Sequence, residues 1–126
     1  MHPALEPGRI GCLELRNRFI KTATYEGMTP AGRVSDALVE HHANMAKNRV
    51  ALTTVAYAAI TPDGRTFSEQ LLVDDDNMAM LRKLTTAVHN EGGRASLQLG
   101  HCGGFSKNKD VSGGRPKGPS AAWNAY

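Results

Sequence analysis

Apolar positions along the chain switch between a period of two and a period near four, and the switches come at turn residues. Residues 5–16 predict a short β-hairpin. Pro7-Gly8 offers a turn, and Ile10, Cys12 or Leu13, and Leu15 alternate roughly. Residues 18–25 predict a first strand, and residues 27–32, with Pro30, a loop. A helix then begins at Ser35 or Asp36, either of which can accept from an orphan backbone N–H. Leu38, His41 or His42, Met45 and Ala46 recur at helical spacing, and the helix ends near Asn48. Residues 50–60 hold no charge and many β-branched side chains, the pattern of a strand buried on both faces. Thr61 to Arg65 is a turn, and residues 66–76 have no strong period. A second helix starts at 75–77 with an apolar stripe of Met78, Leu81, Leu84, Thr85 and Val88, and Gly92-Gly93 stops it. Residues 94–100 read as a third strand, residues 103–119 as loop, and 121–126 as too short to classify.

Strands separated by helices imply parallel pairing and an α/β architecture. The pattern alone does not choose among α/β folds.

Size and charge narrow the picture. A chain of 126 residues is one domain. At 40% hydrophobic and 21% charged it is neither disordered nor fibrous. No stretch is apolar enough for a membrane helix, and the start lacks a basic, then apolar, leader, so the expected compartment is cytoplasmic. Residues 1–93 carry 10 basic and 11 acidic side chains, whereas residues 94–126 carry five basic and one acidic. The net charge of +3 is therefore a property of the C-terminal segment. A solvated basic loop explains this more simply than an anionic partner. Cys12 and Cys102 form no metal spacing and read as free thiols.

In parallel α/β folds, ligands bind beyond the carboxyl ends of the strands. Those ends here are residues 22–26, 56–59 and 98–101. Gln98 is an amide in an otherwise apolar strand, with two donors and an acceptor to satisfy. A ligand with mixed donor and acceptor edges would satisfy it, and so would neighbouring backbone. His101 lacks companions for a metal site. His41 and His42 point about 100° apart on a helix and cannot chelate together; helix packing or solvent exposure accounts for them. His89 lies near a helix C-terminus, where a cation suits the dipole. Neither G-x-G-x-x-G nor a P-loop is present. Too few aromatics interleave the basic residues to favour nucleic-acid binding.

Four separated runs then carry a resemblance: residues 15–24 (LRNRFIKTAT), 62–65 (PDGR), 87–93 (AVHNEGG) and 97–103 (LQLGHCG), followed by Gly118-Pro-Ser120. Together and in this order they resemble the Old Yellow Enzyme family, the NADH:flavin oxidoreductases with FMN in a (β/α)8 TIM barrel. The resemblance covers essentially the whole chain. It implies the N-terminal part of such a barrel: about three βα units plus a leading hairpin that lids the barrel floor. It also implies FMN as cofactor, NAD(P)H as reductant, and hydride delivery to an electron-poor alkene such as an α,β-unsaturated carbonyl. The residues implied to border the flavin are Ala23, Thr24 and Tyr25 after strand one, Tyr57 after strand two, and Gln98 on strand three. Gln98 matches the family glutamine that bonds the pyrimidine edge. His101 matches a family histidine with no catalytic role assigned.

Departures from the family pattern accompany the match. Tyr25 stands where many members have Thr or Cys. Ala56-Tyr57 stands where many have Glu followed by Ala or Gly. Asn48-Arg49 replaces glycines before strand two. The family's substrate-gripping His/His or His/Asn pair, its proton-donating Tyr and its phosphate site lie beyond the third strand, so no catalytic or metal-binding residue maps here. Residues 1–126 are thus expected to be an incomplete barrel, completed by its remainder or by a complementing or identical chain. The alternatives are an inactive partial-barrel subunit, and an anion- or nucleic-acid-binding module using the basic 103–117 loop.

Overall fold

The computed structural model describes residues 2–108 and 115–120. Residues 109–114 of the expected 103–119 loop, and residues 121–126, lie outside the described residues.

The chain opens with an antiparallel hairpin of β1 (Gly8–Ile10) and β2 (Leu13–Leu15). Its turn falls at Gly11-Cys12, not at the expected Pro7-Gly8, because Gly11 supplies the left-handed backbone (φ 58°) that a tight turn needs. Only Leu15 of the hairpin is buried; Ile10 and Leu13 face outward.

Three parallel strands follow, each pair joined by a helix. They are β3 (Ile20–Lys21), β4 (Leu52–Ala59) and β6 (Arg94–Gly100), lying side by side in chain order. A two-residue strand, β5 (Leu71–Leu72), also pairs with the end of β4. The expected first strand over 18–25 shrinks to β3. It pairs with β4 for two residues, and the chain then bends away to bring Glu26 back under β4.

The connecting helices sit where the caps place them. α1 (Asp36–Lys47) starts after Ser35, whose hydroxyl accepts from the Leu38 N–H, and α2 (Asp75–Asn90) starts after Asp74, which accepts from Asn77. Leu38, Val39 and Ala46 of α1, Leu84 and Val88 of α2, and Val55 and Ala58 of β4 form the core. Before β4 the backbone keeps the glycine-like turn despite its sequence. Arg49 sits at φ 71°, a left-handed conformation that costs a non-glycine residue about 1 kcal/mol.

The sheet therefore has a helix face and an opposite face. Thr53, Val55, Ala95 and Leu97 point to the helices. Thr54 and Ser96 share the other face, their hydroxyls 2.7 Å apart. Among the described residues no helix is long and apolar enough to cross a membrane.

Candidate functional site at the carboxyl ends of the strands

One irregularity organises this end of the sheet. β4 and β6 pair in register through Val55 with Leu97, and again from Ala58 with Leu99. Two residues of β4, Ala56 and Tyr57, thus oppose the single residue Gln98. This is a β-bulge, which leaves ladder groups unpaired and re-aims the chain. The Ala56–Tyr57 peptide is cis. Tyr57 and Gln98, expected to share a site, are brought to the same level on adjacent strands.

Gln98 follows Ser96 by alternation, so it lies on the face turned from the helices. Its side chain is exposed and forms no hydrogen bond with any described residue. Of the two partners expected for Gln98, neighbouring backbone among the described residues does not take its amide.

Ala23, Thr24 and Tyr25 lie in the segment after β3, all exposed. Tyr25 reaches Tyr57, their ring centroids 6.0 Å apart, and also Phe67, 5.1 Å away, both edge-on. Tyr57 lies 6.3 Å from Phe67 and donates its hydroxyl to Thr66 at 3.1 Å. Such edge-on aromatic contacts contribute about 0.5–1.5 kcal/mol each beyond area burial. Burial and the nearby charge of Glu69 push the Tyr25 phenol above its ordinary value, so it stays protonated at neutral pH. Phe67 was not foreseen, since residues 66–76 show no period.

Behind these residues lies a buried polar group that sequence reasoning also missed. Glu26 is 5% exposed and Lys21 16%, and their charges meet at 2.6 Å. Lys21 donates as well to the Thr54 carbonyl, at 3.1 Å. Glu26 accepts the Ala56 N–H at 3.2 Å. His42, fully buried, places Nδ1 2.7 Å from Thr53 Oγ1. Its Nε2 stands 3.4 Å from Glu26, the outer limit of a hydrogen bond, so it acts by proximity more than by an aligned bond. Burial raises the Glu26 carboxyl, but His42, Lys21 and the Ala56 N–H together outweigh it and hold the group below 4.5. His41, beside it, is pushed down by burial and by His42 and Lys21.

Loops seal the rim. Cys102 donates its N–H to the Gly64 carbonyl, and Lys107 to that of Thr66. Lys117 meets Asp63 at 2.7 Å, which commits one cation of the basic loop. Cys12 and Cys102 carry free thiols. A larger cleft, about 990 Å³, opens at the opposite end among Arg9, Arg16, Arg18 and Arg94. It is bordered by the hairpin and the strand starts, away from the residues described above.

The family model for the NADH:flavin oxidoreductase / NADH oxidase family matches residues 4–126. The chain belongs to that family. FMN is the family's cofactor, and its members are oxidoreductases. A 4,4'-dithiodibutanoate disulfide reductase from Rhodococcus erythropolis is 50% identical over 98 residues, which is 78% of this chain and 24% of that protein. A metal reductase from Desulforamulus reducens is 36% identical over 100 residues, 79% of this chain and 15% of that protein. The chain thus spans a quarter or less of these relatives. Morphinone reductase, solved with tetrahydroNAD, superposes with a TM-score of 0.83 at 26% identity, over 94% of this chain and 33% of that one. The Old Yellow Enzyme homologue from Zymomonas mobilis gives 0.82 at 24% identity, over 94% of this chain and 33% of that one. The fold is therefore the N-terminal part of the barrel that the sequence resemblance implied.

Proposed function

We propose that residues 1–126 supply the first three strands of the flavin wall of an NAD(P)H-dependent FMN oxidoreductase. The rest of the barrel would come from further chain or from a second chain. The observation that carries this is the bulge, which sets the Ala56–Tyr57 backbone against the open amide of Gln98. Gln98 offers two donors and an acceptor, the set that the mixed edge of a flavin pyrimidine requires. Tyr57 lends backbone, and Ala23, Thr24 and Tyr25 offer exposed backbone on the neighbouring segment. The chemistry supplied by bound FMN is hydride relay: NAD(P)H is oxidised, and the acceptor gains a hydride and a proton. The protein's part on this side is to bind, orient and polarise.

The acceptor in this reading is an electron-poor alkene, reduced across its C=C bond. The relative at 50% identity supports a second acceptor, a disulfide, whose S–S bond takes a hydride and a proton to give two thiols.

The test uses the whole protein. We expect it to bind FMN and, without oxygen, to oxidise NADH or NADPH in the presence of 2-cyclohexen-1-one. Gln98→Leu is expected to raise the FMN Kd about tenfold, the loss of one to two net hydrogen bonds. Oxidation with 4,4'-dithiodibutanoate but not the enone moves the assignment to the disulfide acceptor. A protein that takes up no FMN overturns the reading.

A further inference from the structure

A carboxylate, 5% exposed, is buried behind the β4 bulge. We propose that Glu26 is a positioning residue, holding the β4 bulge and the segment after β3 in one fixed arrangement, with Lys21 as its counter-charge. The proposal rests on the flavin-wall reading for its functional meaning, though its structural core does not.

The geometry leads there directly. A bulge strips one residue of its ladder bond, and here the Ala56 N–H goes instead to Glu26 Oε2 at 3.2 Å. The other oxygen, Oε1, takes Lys21 Nζ at 2.6 Å. Lys21 also donates to the Thr54 carbonyl at 3.1 Å and to that of Thr22 at 3.4 Å. One ion pair thus touches the backbone on both sides of the gap, Thr22 before Ala23 and Thr54 and Ala56 before Tyr57. His42 enters from α1, with Thr53 behind it. A salt bridge so deep is a weak source of stability, because both charges give up water. Its distinctive use is geometric: a carboxylate with two oxygens fixes two directions at once.

Sequence alone hides this device. Lys21 falls inside the strand predicted over 18–25 and Glu26 at its carboxyl end, with nothing in the spacing to join them to each other or to Ala56.

The experiment compares the whole wild-type protein with Glu26→Gln, Lys21→Met/Glu26→Gln and Lys21→Met/Glu26→Leu. The double variants remove both charges together, so they keep the proposal testable where Glu26→Gln, which leaves the buried Lys21 without its counter-charge, fails to fold. Two readouts are taken: amide hydrogen exchange of the apoprotein, and the FMN Kd with the shape of the bound flavin spectrum. In Lys21→Met/Glu26→Leu we expect the amides of residues 56–58 to exchange at least tenfold faster, while those of Leu84 and Val88 are unchanged. We expect the FMN Kd to rise at least tenfold and the spectrum to shift. Lys21→Met/Glu26→Gln keeps a carbonyl for the Ala56 N–H and should recover most of both. Equal exchange at 56–58 in all proteins overturns the proposal. So does a uniform rise that includes Leu84 and Val88, which marks a general structural role. Local exchange that rises while the Kd and spectrum stay fixed overturns the functional half. A wild-type protein without FMN sinks the flavin-wall reading instead, and the exchange data still decide whether Glu26 pins the bulge.

Discussion

The two ends of the same three strands are held by opposite means. At the amino ends, the residues Leu15, Arg16 and Asn17 close the floor with side chain to backbone bonds. Arg16 donates to the carbonyls of Glu91 at 2.7 Å and Val50 at 2.9 Å, and to that of Ala46. Fully buried Asn17 donates to Arg49 at 2.7 Å and accepts from Phe19. Leu15 is buried beside them. At the carboxyl ends Ala23, Thr24, Tyr25, Gln98 and Leu99 are exposed and Phe67 is half-buried, and behind them the Glu26–Lys21 ion pair is buried. The clamps at the floor find their partners within the described residues, beside the cleft at Arg9 and Arg94. The opposite end presents groups that await something else. This is the division expected of a parallel barrel, stability below and chemistry above.

The largest effect should come from breaking the floor. Arg16→Met removes a charged donor from three carbonyls, two of them at helix ends, and should cost about 3 kcal/mol. Urea unfolding of the whole protein checks it, and the folded fraction should keep its FMN affinity. A loss of affinity at full stability would show that the two ends are not separable.

The same substitution made at each end sharpens the contrast. At the floor, a Cβ on Gly93 would lie 2.7 Å from the Ala46 Cβ and 3.2 Å from Val88 Cγ1, both in the buried core. At the rim, a Cβ on Gly64 would lie 2.6 Å from the His101 ring and 2.9 Å from Thr61 Oγ1. His101 is exposed and can swing away; Ala46 cannot. Gly93→Ala should therefore cost about 2 kcal/mol and Gly64→Ala about 1 kcal/mol or less, both read from urea midpoints. Equal costs would mean that the rim is packed as tightly as the floor.

Much of this was legible in the sequence, and the division follows physical lines. The first helix declares itself because Ser35 is a local cap, and the second because Leu84 and Val88 keep a helical period; the Asp74 cap comes only with the structure. β6 declares itself because alternation and the Gly92-Gly93 stop are local too. What escaped depends on two strands at once. A bulge is a mismatch in pairing, so Ala56 and Tyr57 look like any strand residues until Gln98 is set opposite. Glu26, Lys21 and His42 lie on three elements, and no spacing rule joins them. The adjacent histidines show the limit well: His42 is buried against Thr53 and Glu26, whereas His41 borders a shallow hollow of about 310 Å³ with Tyr25 and Met45. A helical wheel separates them but cannot say which faces a carboxylate. The motif LRNRF contributes to the family match, yet its Arg16 and Asn17 work as floor clamps rather than as site residues.

The smallest effect concerns the rim's outermost tie. Lys117 reaches Asp63 across exposed surface, and with help from Thr61 it holds that carboxyl at about 2 instead of 3.8. A depressed carboxylate contributes its stabilisation above its unfolded value, so the tie is complete above about pH 4 and lost as pH falls through about 2. Lys117→Met should bring Asp63 back toward 3.8, followed by the side-chain carboxyl signal in an NMR titration. Added salt should produce part of the same shift in the wild type, because an exposed pair is screened within a Debye length. The urea midpoint at neutral pH should hardly move. A marked fall there would place the loop after β6 among the structural clamps, and the rim would then resemble the floor more than its exposure suggests.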